Sequence, residues 1–282
     1  DNLLSEDYIR CMNETFSDGY RIITSYRNSK NYGDNWISAG YALWFLREAK
    51  FLNNARYLLG TSCAVSGTGF LFGREILKSC GGWPFHLLVE DIEFTIHNVV
   101  SGEKVGYCPR AVLYDEQPTK FSQSWKQRMR WARGYIQILR KYGGDLLHGI
   151  FAKRSFSCFD MTMNIAPAVI LSFLGIIINV GAAVYSVLNG GGTDVLLQSF
   201  GQLILNTCLM MFIIGAITTI SEWKNIYCST PKKILYAFTF PLFMLTYLPI
   251  CIVALFRPVK WEPIVHDRVR TLSEVRGEGT AA

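Results

Sequence analysis

A set of polar and aromatic side chains at helical spacing is the part of this sequence most suited to chemistry. Gln127, Arg130 and Trp131 form a Q-x-x-R-W pattern within the segment WKQRMRWARG. Positions i, i+3 and i+4 share one face of an α-helix, so an amide, a guanidinium and an indole are presented together. The arginine fork suits a diphosphate because it makes paired, charge-assisted hydrogen bonds, and the indole offers a flat face to a sugar ring. Taken alone, the pattern also fits an amphipathic surface helix with one buried tryptophan.

A pair of acids at a predicted helix start is the second candidate. Glu90 and Asp91 follow an apolar approach that begins at Gly82-Trp83-Pro84. A carboxylate there lies in the positive field of the helix N-terminus, which favours the ionised form that a general base needs. Asp91 would then take the proton of an attacking hydroxyl group. The alternative for Asp91 is an ordinary helix cap.

A glycine-containing loop, Ser66-Gly67-Thr68-Gly69-Phe70, precedes these acids. Glycine lets a backbone approach a ligand closely, so Gly67 and Thr68 are candidates for contact with a sugar. Loops of this kind are common, so this one indicates a binding site only in combination with the two motifs described above.

The elements that must position these side chains alternate along the first half of the chain. The pattern predicts five helices, over residues 5–16, 36–53, 74–79, 91–101 and 122–142. It predicts extended segments over residues 19–26, 62–72, 104–107 and 111–114. Such alternation favours an α/β domain.

The composition divides the chain into two parts. Half of all residues are hydrophobic and 18% are charged, whereas a typical soluble protein has about 25% charged residues. Residues 1–157 read as a soluble α/β protein, but from Met161 to Ile220 the one charged residue is Asp194. A globular part followed by a membrane part is therefore expected.

Three apolar stretches follow the globular part, at about residues 161–188, 195–220 and 234–256. Each is long enough for the roughly 20 residues that cross a bilayer. The sequence thus predicts a membrane domain over residues 158–256 with two or three transmembrane helices, and a polar tail over residues 257–282.

The membrane topology has two solutions. The turn at residues 189–194 has no Lys or Arg and is expected outside, whereas the basic loop at 224–233 and the basic tail are expected in the cytosol. Three full crossings that start from a cytosolic domain do not give that arrangement. Either the third stretch, which contains Pro241 and Pro249, is a bent or re-entrant element, or the tail lies outside.

The charge distribution argues against a nucleic-acid-binding protein. The net charge is only +6, and the sequence has neither RNP-type aromatics nor zinc-finger spacing. Seven basic residues occur without an acid between Glu116 and Asp145, which fits a solvated or lipid-facing helix or a site for a polyanion such as a diphosphate. These residues are Lys120, Lys126, Arg128, Arg130, Arg133, Arg140 and Lys141.

The order Gly-Thr-Gly, Gly-Gly-Trp, Glu-Asp, Q-x-x-R-W and then apolar helices resembles the processive family 2 glycosyltransferases, which include poly-N-acetylglucosamine, hyaluronan and cellulose synthases. The resemblance covers about residues 1–134 and is closest to poly-N-acetylglucosamine synthase-like enzymes. It implies that residues 1–157 are the C-terminal half of a GT-A type nucleotide-sugar transferase domain, ending in the Q-x-x-R-W helix and an interface segment. The uridine-binding half would be missing, so this chain by itself is expected to be inactive.

The resemblance also implies roles for the acids. Asp91 matches the catalytic base of the family and Glu90 the acid beside it, although Val89 stands where the family usually has threonine. Asp1 matches the second aspartate of an Asp-x-Asp motif, which holds a divalent Mg²⁺ or Mn²⁺ and the nucleotide diphosphate.

The remaining motifs match substrate-binding positions. Gln127 and Arg130 match the diphosphate-binding pair, Trp131 the residue at the acceptor sugar, and Gly67 and Thr68 the loop near the acceptor end. The implied reaction is inverting transfer of a hexose or N-acetylhexosamine from a UDP-sugar to a growing polysaccharide. It would take place in a multi-pass protein of the plasma membrane whose catalytic domain is cytosolic.

Two other functions fit parts of the sequence. A non-processive family 2 enzyme would transfer one sugar to a lipid-linked acceptor, but the Q-x-x-R-W segment and the later helices favour the processive type. A non-enzymatic transport or scaffold protein would explain the apolar helices and the few charges within them. It gives no reason for the Glu-Asp pair and the Q-x-x-R-W pattern to occur together.

Overall fold

The computed structural model describes residues 2–190, 194–262 and 269–277. Its strands are β1 Leu3–Leu4, β2 Ile22–Ser29, β3 Phe70–Phe72 and β4 Val105–Asp115. The helices of the first half are α1 Tyr8–Ser17, α2 Trp36–Arg47, α3 Asn54–Leu58, α4 Arg74–Ser79, α5 Glu90–Val100 and α6 Phe121–Phe151. Those of the second half are α7 Phe156–Ile165, α8 Pro167–Leu188, α9 Asp194–Ser221, α10 Thr230–Leu245, α11 Tyr247–Phe256 and α12 Leu272–Arg276.

The strands form one mixed sheet in the order β1-β4-β2-β3. β2 and β4 run parallel, and both outer strands are antiparallel to their neighbours. Ser29 lies opposite Asp115, so the two parallel strands end at the same edge. In sheets with parallel strands, ligands commonly bind beyond that carboxyl edge, and the candidate residues collect near it.

The predicted elements agree with the structure in part. The helices expected over 36–53 and 74–79 are confirmed, although residues Glu48–Asn53 adopt a π-helical turn after α2. The two strands expected at 104–107 and 111–114 are wrong as separate strands because β4 is continuous. Its register shifts opposite Ser25 and Tyr26, where Pro109, which has no amide hydrogen to donate, is accommodated in a bulge.

Helix α6 runs nine residues beyond the end expected at residue 142. Gly143 and Gly144, which would normally weaken a helix, are tolerated because neighbouring side chains are held by packing. Tyr142 and Leu146 are buried in an apolar cluster that also contains residues of α5 and α7.

The largest apolar core joins the globular part to the later helices. α2 supplies much of it, and Tyr236, Phe240 and Phe243 of α10 are buried in the same cluster. The contact between α2 and α10 is so close that a Cβ atom on Gly40 would overlap the ring of Phe243. The domain boundary at residue 157 stays a prediction.

Two helical segments are long and apolar enough to cross a membrane, Leu197–Ser221 and Thr230–Phe256. The second is formed by α10 and α11, which are separated at Thr246, and Pro241 lies inside α10. Core helices of soluble proteins can share this length and composition, and about a third of the most apolar part of the second segment is buried. The first predicted stretch contains α8, a helix of 22 residues, whose C-terminal part, Ile177–Leu188, is an apolar helical segment.

The turn after α9 and the C-terminal tail both contact the globular part. Glu222 accepts a hydrogen bond from the Tyr26 hydroxyl of β2, and Lys232 donates to the carbonyl oxygen of Gly33 at 2.6 Å. In the tail, Arg270 donates to the carbonyl oxygen of Lys30 at 2.8 Å. The α10–α11 segment therefore begins and ends beside the same domain.

Candidate active site

Asp91 lies in the first turn of α5, but it does not cap that helix. Val89 occupies the cap position and makes no side-chain cap hydrogen bond. The nearby acid with a structural role is Glu93, which is fully buried. Its carboxylate accepts hydrogen bonds from the Leu87 amide at 2.9 Å and from the Lys141 ammonium at 2.6 Å. Glu93, rather than Asp91, therefore fixes the chain segment that leads into α5.

The glycine loop lies directly against Asp91. Gly67 has φ +72°, a conformation that favours glycine, and a Cβ atom built on it would lie 3.8 Å from Oδ2 of Asp91. The same atom would lie 3.8 Å from Nη1 of Arg27. Gly69 also has a positive φ, and a Cβ atom there would come within 2.6 Å of the Ser25 hydroxyl oxygen. The loop can therefore approach both β2 and the carboxylate only because it contains glycine.

The surroundings of Asp91 raise the pKa of its carboxyl group to about 6. Burial is the largest cause, and the negative charge of Glu90 acts in the same direction. The backbone amides of Ile92 and Gly67 and the positive charge of Arg27 oppose the rise. The field at the helix start is thus outweighed by burial, and the group titrates near neutral pH, where a general base is most effective.

Helix α6 packs against the chain that leads into α5. A Cβ atom on Gly134 would lie 2.6 Å from a methyl group of Val89, so only glycine permits this approach. Gln137 accepts a hydrogen bond from the Leu88 amide at 3.2 Å. Beside this contact, Tyr135 has a phenol whose pKa is raised, first by burial and then by the charges of Glu48 and Asp91. The Q-x-x-R-W helix and Asp91 therefore meet at one place.

The three residues of the Q-x-x-R-W pattern lie on the turns of α6 that precede Gly134. The half-buried Trp131 ring packs edge-to-face on Tyr41 and Phe45 of α2, with ring centroids 5.7 and 6.1 Å apart. The side-chain oxygen of Gln127 is buried and has no hydrogen-bond partner among the described residues. Arg130 is half-buried. A buried amide oxygen without a donor is costly, and a ligand with a donor group would relieve that cost.

The basic run does not act as one polyanion site. The Arg128 guanidinium is buried and donates to the carbonyl oxygen of Phe243 at 3.1 Å and to the Thr246 hydroxyl at 2.8 Å. Arg133 donates to the carbonyl oxygens of Ala254 and Leu255 at the end of α11. The expectation of a solvated or anion-binding run is therefore wrong for these two residues, because they attach α6 to the following helices.

The start of the chain reaches the glycine loop. Asn2 donates from its amide nitrogen to the Thr68 hydroxyl oxygen at 2.8 Å. Asp1, the predicted metal ligand, lies outside the described residues. Within them, no group of three or more His, Cys, Asp or Glu side chains could hold a metal ion. The carboxylate of Asp1 is of the hard oxygen type that Mg²⁺ binds, and its neighbour Asn2 lies at the loop beside Asp91.

Two charged residues of this region were not predicted from the sequence. Arg27 of β2 contacts the loop, and Glu48 begins the π-helical turn after α2. Burial raises the pKa of Glu48, the charges of Arg27 and two other arginines lower it, and Asp91 raises it further. No local pattern marks either residue, because a strand and a helix end bring them together only in the fold. Tyr135 follows Trp131 at a spacing of four, and this helical periodicity is a signal that could have identified it.

Comparison with known proteins gives a family match for the first half of the chain. The family described as "Glycosyltransferase like family 2" matches residues 1–134. This range contains the glycine loop, the Glu-Asp pair and the Q-x-x-R-W pattern, and it ends at Gly134, where α6 meets Val89.

Individual relatives are similar over about a third of the chain. A probable glycosyltransferase, YdaM, of Bacillus subtilis (strain 168) is 33% identical over 97 residues, which are 34% of this chain and 22% of that protein. A probable glycosyltransferase of Sulfolobus acidocaldarius is 29% identical over 105 residues, or 37% and 22% of the two chains. The poly-beta-1,6-N-acetyl-D-glucosamine synthase of Staphylococcus epidermidis is 31% identical over 88 residues, or 31% and 21%. The chain thus spans about a fifth of the length of the curated relatives it matches.

Proposed function

We propose, on the premise of the match of residues 1–134 to glycosyltransferase-like family 2, that the full-length protein is an inverting glycosyltransferase with Asp91 as its general base. The donor is a UDP-linked hexose or N-acetylhexosamine, and the acceptor is a growing polysaccharide. The observation that carries the proposal is the half-buried Asp91 carboxylate, with a pKa of about 6, between the glycine loop and α6.

The reaction is one displacement at the anomeric carbon. Asp91 accepts the proton of an acceptor hydroxyl while that oxygen forms a bond to the anomeric carbon. The bond between this carbon and the diphosphate oxygen breaks, and UDP leaves with the bonding electron pair. Attack from the face opposite the leaving group inverts the configuration. A base with a pKa of about 6 is ionised at neutral pH and still takes up a proton readily.

The donor diphosphate is assigned to the start of α6. Arg130 would pair with phosphate oxygens, and the amide nitrogen of Gln127 would donate a further hydrogen bond to them. A divalent Mg²⁺ or Mn²⁺ held by Asp1 would supply further positive charge to the departing diphosphate. Glu90 lies beside the base and keeps its surroundings anionic.

The acceptor is assigned to Trp131 and the glycine loop. The indole lies one turn before Gly134, where α6 approaches the start of α5. Gly67 borders Asp91, and Thr68 follows it in the loop, where its hydroxyl accepts a hydrogen bond from Asn2. A β-1,6-linked N-acetylglucosamine polymer is the first product to test, since one relative is named as a synthase of that polymer. Glucose is the second donor to test.

We further propose that the full-length protein lies in the plasma membrane with residues 1–157 in the cytosol; the apolar composition of the helices after α7 supports a membrane domain. α10 and α11 begin and end beside the globular part and are interrupted at Thr246, so we assign them to a re-entrant element although their combined length would allow a crossing. The crossings are then α9 and the 22-residue α8, and both basic segments lie in the cytosol.

Replacement of the base tests the proposal. For Asp91→Asn in the full-length protein, we expect sugar transfer in isolated membranes to fall by about 10²–10⁴-fold, the usual contribution of general-base catalysis. Binding of UDP, measured by calorimetry on purified protein, should change little. Asp145→Asn, which alters an exposed acid of α6, is the matched control and should transfer normally. Ordinary turnover by Asp91→Asn would refute the assignment.

Analysis of the product tests whether transfer is repeated. Membranes with the full-length protein are supplied with UDP-N-acetylglucosamine or UDP-glucose and Mn²⁺, and the products are separated by length. A ladder of long chains is expected. A single sugar on a lipid would instead indicate the non-processive type, and the absence of any transfer would favour a transport or scaffold role.

A further inference from the structure

Arg27 of β2 holds three separate elements together. Its guanidinium donates two hydrogen bonds to one carboxylate oxygen of Asp115, the last residue of β4, one of them from Nε at 3.1 Å. From Nη1 it donates to the backbone carbonyl oxygen of Ser66 at 2.8 Å and to the Ser66 hydroxyl oxygen at 3.1 Å. The guanidinium carbon also lies 3.6 Å from the centre of the Phe45 ring in α2.

The Ser66 contact joins Arg27 to the base. Ser66 precedes Gly67, at which an added Cβ atom would lie 3.8 Å from both Nη1 of Arg27 and Oδ2 of Asp91, so the two side chains converge on this residue. The Gly67 amide and the Arg27 charge both favour the ionised form of Asp91. Since the guanidinium binds the carbonyl of the preceding residue, it also orients the peptide that carries this amide.

We propose that Arg27 is a positioning residue for Asp91, holding the Ser66–Gly67 peptide against the carboxylate and supplying positive charge beside it. This inference rests on the proposed function of Asp91 as a base. In this role Arg27 acts on Asp91 through the loop rather than on the reacting atoms. Its pairing with Asp115, with side-chain exposures of only 14% and 10%, keeps the guanidinium in a fixed place.

Asp91 faces charged or titratable groups from four elements. Glu90 lies on its own helix, Arg27 on β2, Glu48 on the π-helical turn and Tyr135 on α6. Arg27 is a positive charge that lowers the pKa of Asp91. Removal of this charge raises the pKa of Asp91, so the pH below which the base is protonated should move upward.

The experiment compares Arg27→Met and Arg27→Lys in the full-length protein by the pH dependence of kcat/KM for sugar transfer. For Arg27→Met we expect the plateau value of kcat/KM to fall by about tenfold to a hundredfold, because a catalytic group out of position lowers the reaction rate. We expect the midpoint of the acidic limb to move to higher pH by about half a unit to one pH unit, because a nearby positive charge is lost. Arg27→Lys keeps the charge and should lower the plateau while leaving the limb in place.

Arg110→Met is the matched control because Arg110 is an exposed arginine on β4 that pairs with Glu14. It should keep both the plateau and the limb of the unaltered protein. If Arg27→Met lowers the rate but leaves the acidic limb where it was, Arg27 has only a structural role and the inference is overturned. The same conclusion follows if Arg27→Met behaves like the control.

Asp91→Asn separates this inference from the proposed function. If Asp91→Asn retains turnover, the base assignment fails, and the positioning role fails with it. If Asp91→Asn is inactive while both Arg27 variants keep the unaltered limb, only the positioning role fails. Should Arg27→Met not accumulate as folded protein, Arg27→Gln, which removes the charge but keeps hydrogen-bond donors, replaces it: an acidic limb moved to higher pH supports the role, and an unmoved limb overturns it.

Discussion

Two sets of residues in α6 show how side chains of one helix acquire different uses. In the first set, Trp131 packs on α2, Gly134 contacts the start of α5, and the side-chain oxygen of Gln127 has no partner among the described residues. In the second set, Arg128 and Arg133 donate to backbone carbonyl oxygens of the helices that follow. The comparison teaches that spacing along a basic helix predicts which residues lie together but not which of them remain available to a ligand.

The difference follows from what each set contacts. Carbonyl oxygens near the end of a helix lack intrahelical partners and attract positive side chains, and Arg133 donates to those of Ala254 and Leu255. Gly134 instead contacts Val89 in the approach to α5, where Gln137 accepts a hydrogen bond from the Leu88 amide.

The largest expected effect separates Arg128 from Arg130. For Arg128→Ala, we expect the free energy of unfolding to fall by about 2–4 kcal/mol, because buried contacts and hydrogen bonds to α10 are lost. For Arg130→Ala, we expect little change in stability but binding of UDP at least about tenfold weaker, since a hydrogen bond from a charged donor is lost. Thermal unfolding in detergent and calorimetry on the full-length protein measure the two effects. If the two variants exchanged these effects, the comparison would be reversed.

An intermediate effect is expected where α6 touches Val89. In Gly134→Ala the added methyl group overlaps a Val89 methyl, so we expect a loss of about 1–3 kcal/mol together with reduced sugar transfer. Gly144→Ala on the same helix adds a methyl in open space and should raise stability by about 0.5–1 kcal/mol. Thermal unfolding and transfer assays compare the pair. If Gly134→Ala and Gly144→Ala had the same stability and the same transfer activity, the close contact between α6 and Val89 would not be needed for either.

The smallest effect concerns Glu90. Its negative charge contributes to the raised pKa of Asp91, so Glu90→Gln lowers that pKa. Because the ionised carboxylate is the active form, the acidic limb of kcat/KM should move to lower pH by about half a unit. This is opposite in sign to the shift expected for Arg27→Met. A limb that moved upward in Glu90→Gln would show that it does not report Asp91.

Much of the site could be predicted because its parts are local in sequence. Gln127, Arg130 and Trp131 are related by helical periodicity, and Asp91 stands at a recognisable helix start. The α/β character of the first half and the long apolar segments follow from hydrophobic patterning in the same way. These features depend on neighbours within one or two turns of the chain.

The remainder depends on contacts between distant segments. Arg27 meets Ser66 and Asp115 across 39 and 88 positions of the chain, and no local pattern predicts such a meeting. The raised pKa of Asp91 results from burial by several elements at once, whereas the sequence shows only the helix start that opposes it. The continuity of β4 was missed because the register shift that accommodates Pro109 arises from pairing with β2.

The burial of Phe243 against Gly40 determines where this protein can be divided. α10 contributes Tyr236, Phe240 and Phe243 to the core around α2, while Glu222 ends the preceding segment with a buried hydrogen bond to Tyr26. Separation of residues 1–157 from the rest of the chain would therefore remove these aromatic rings from the core and expose an apolar surface. The protein has to be purified with its apolar helices attached, because the globular part does not bury its core without them.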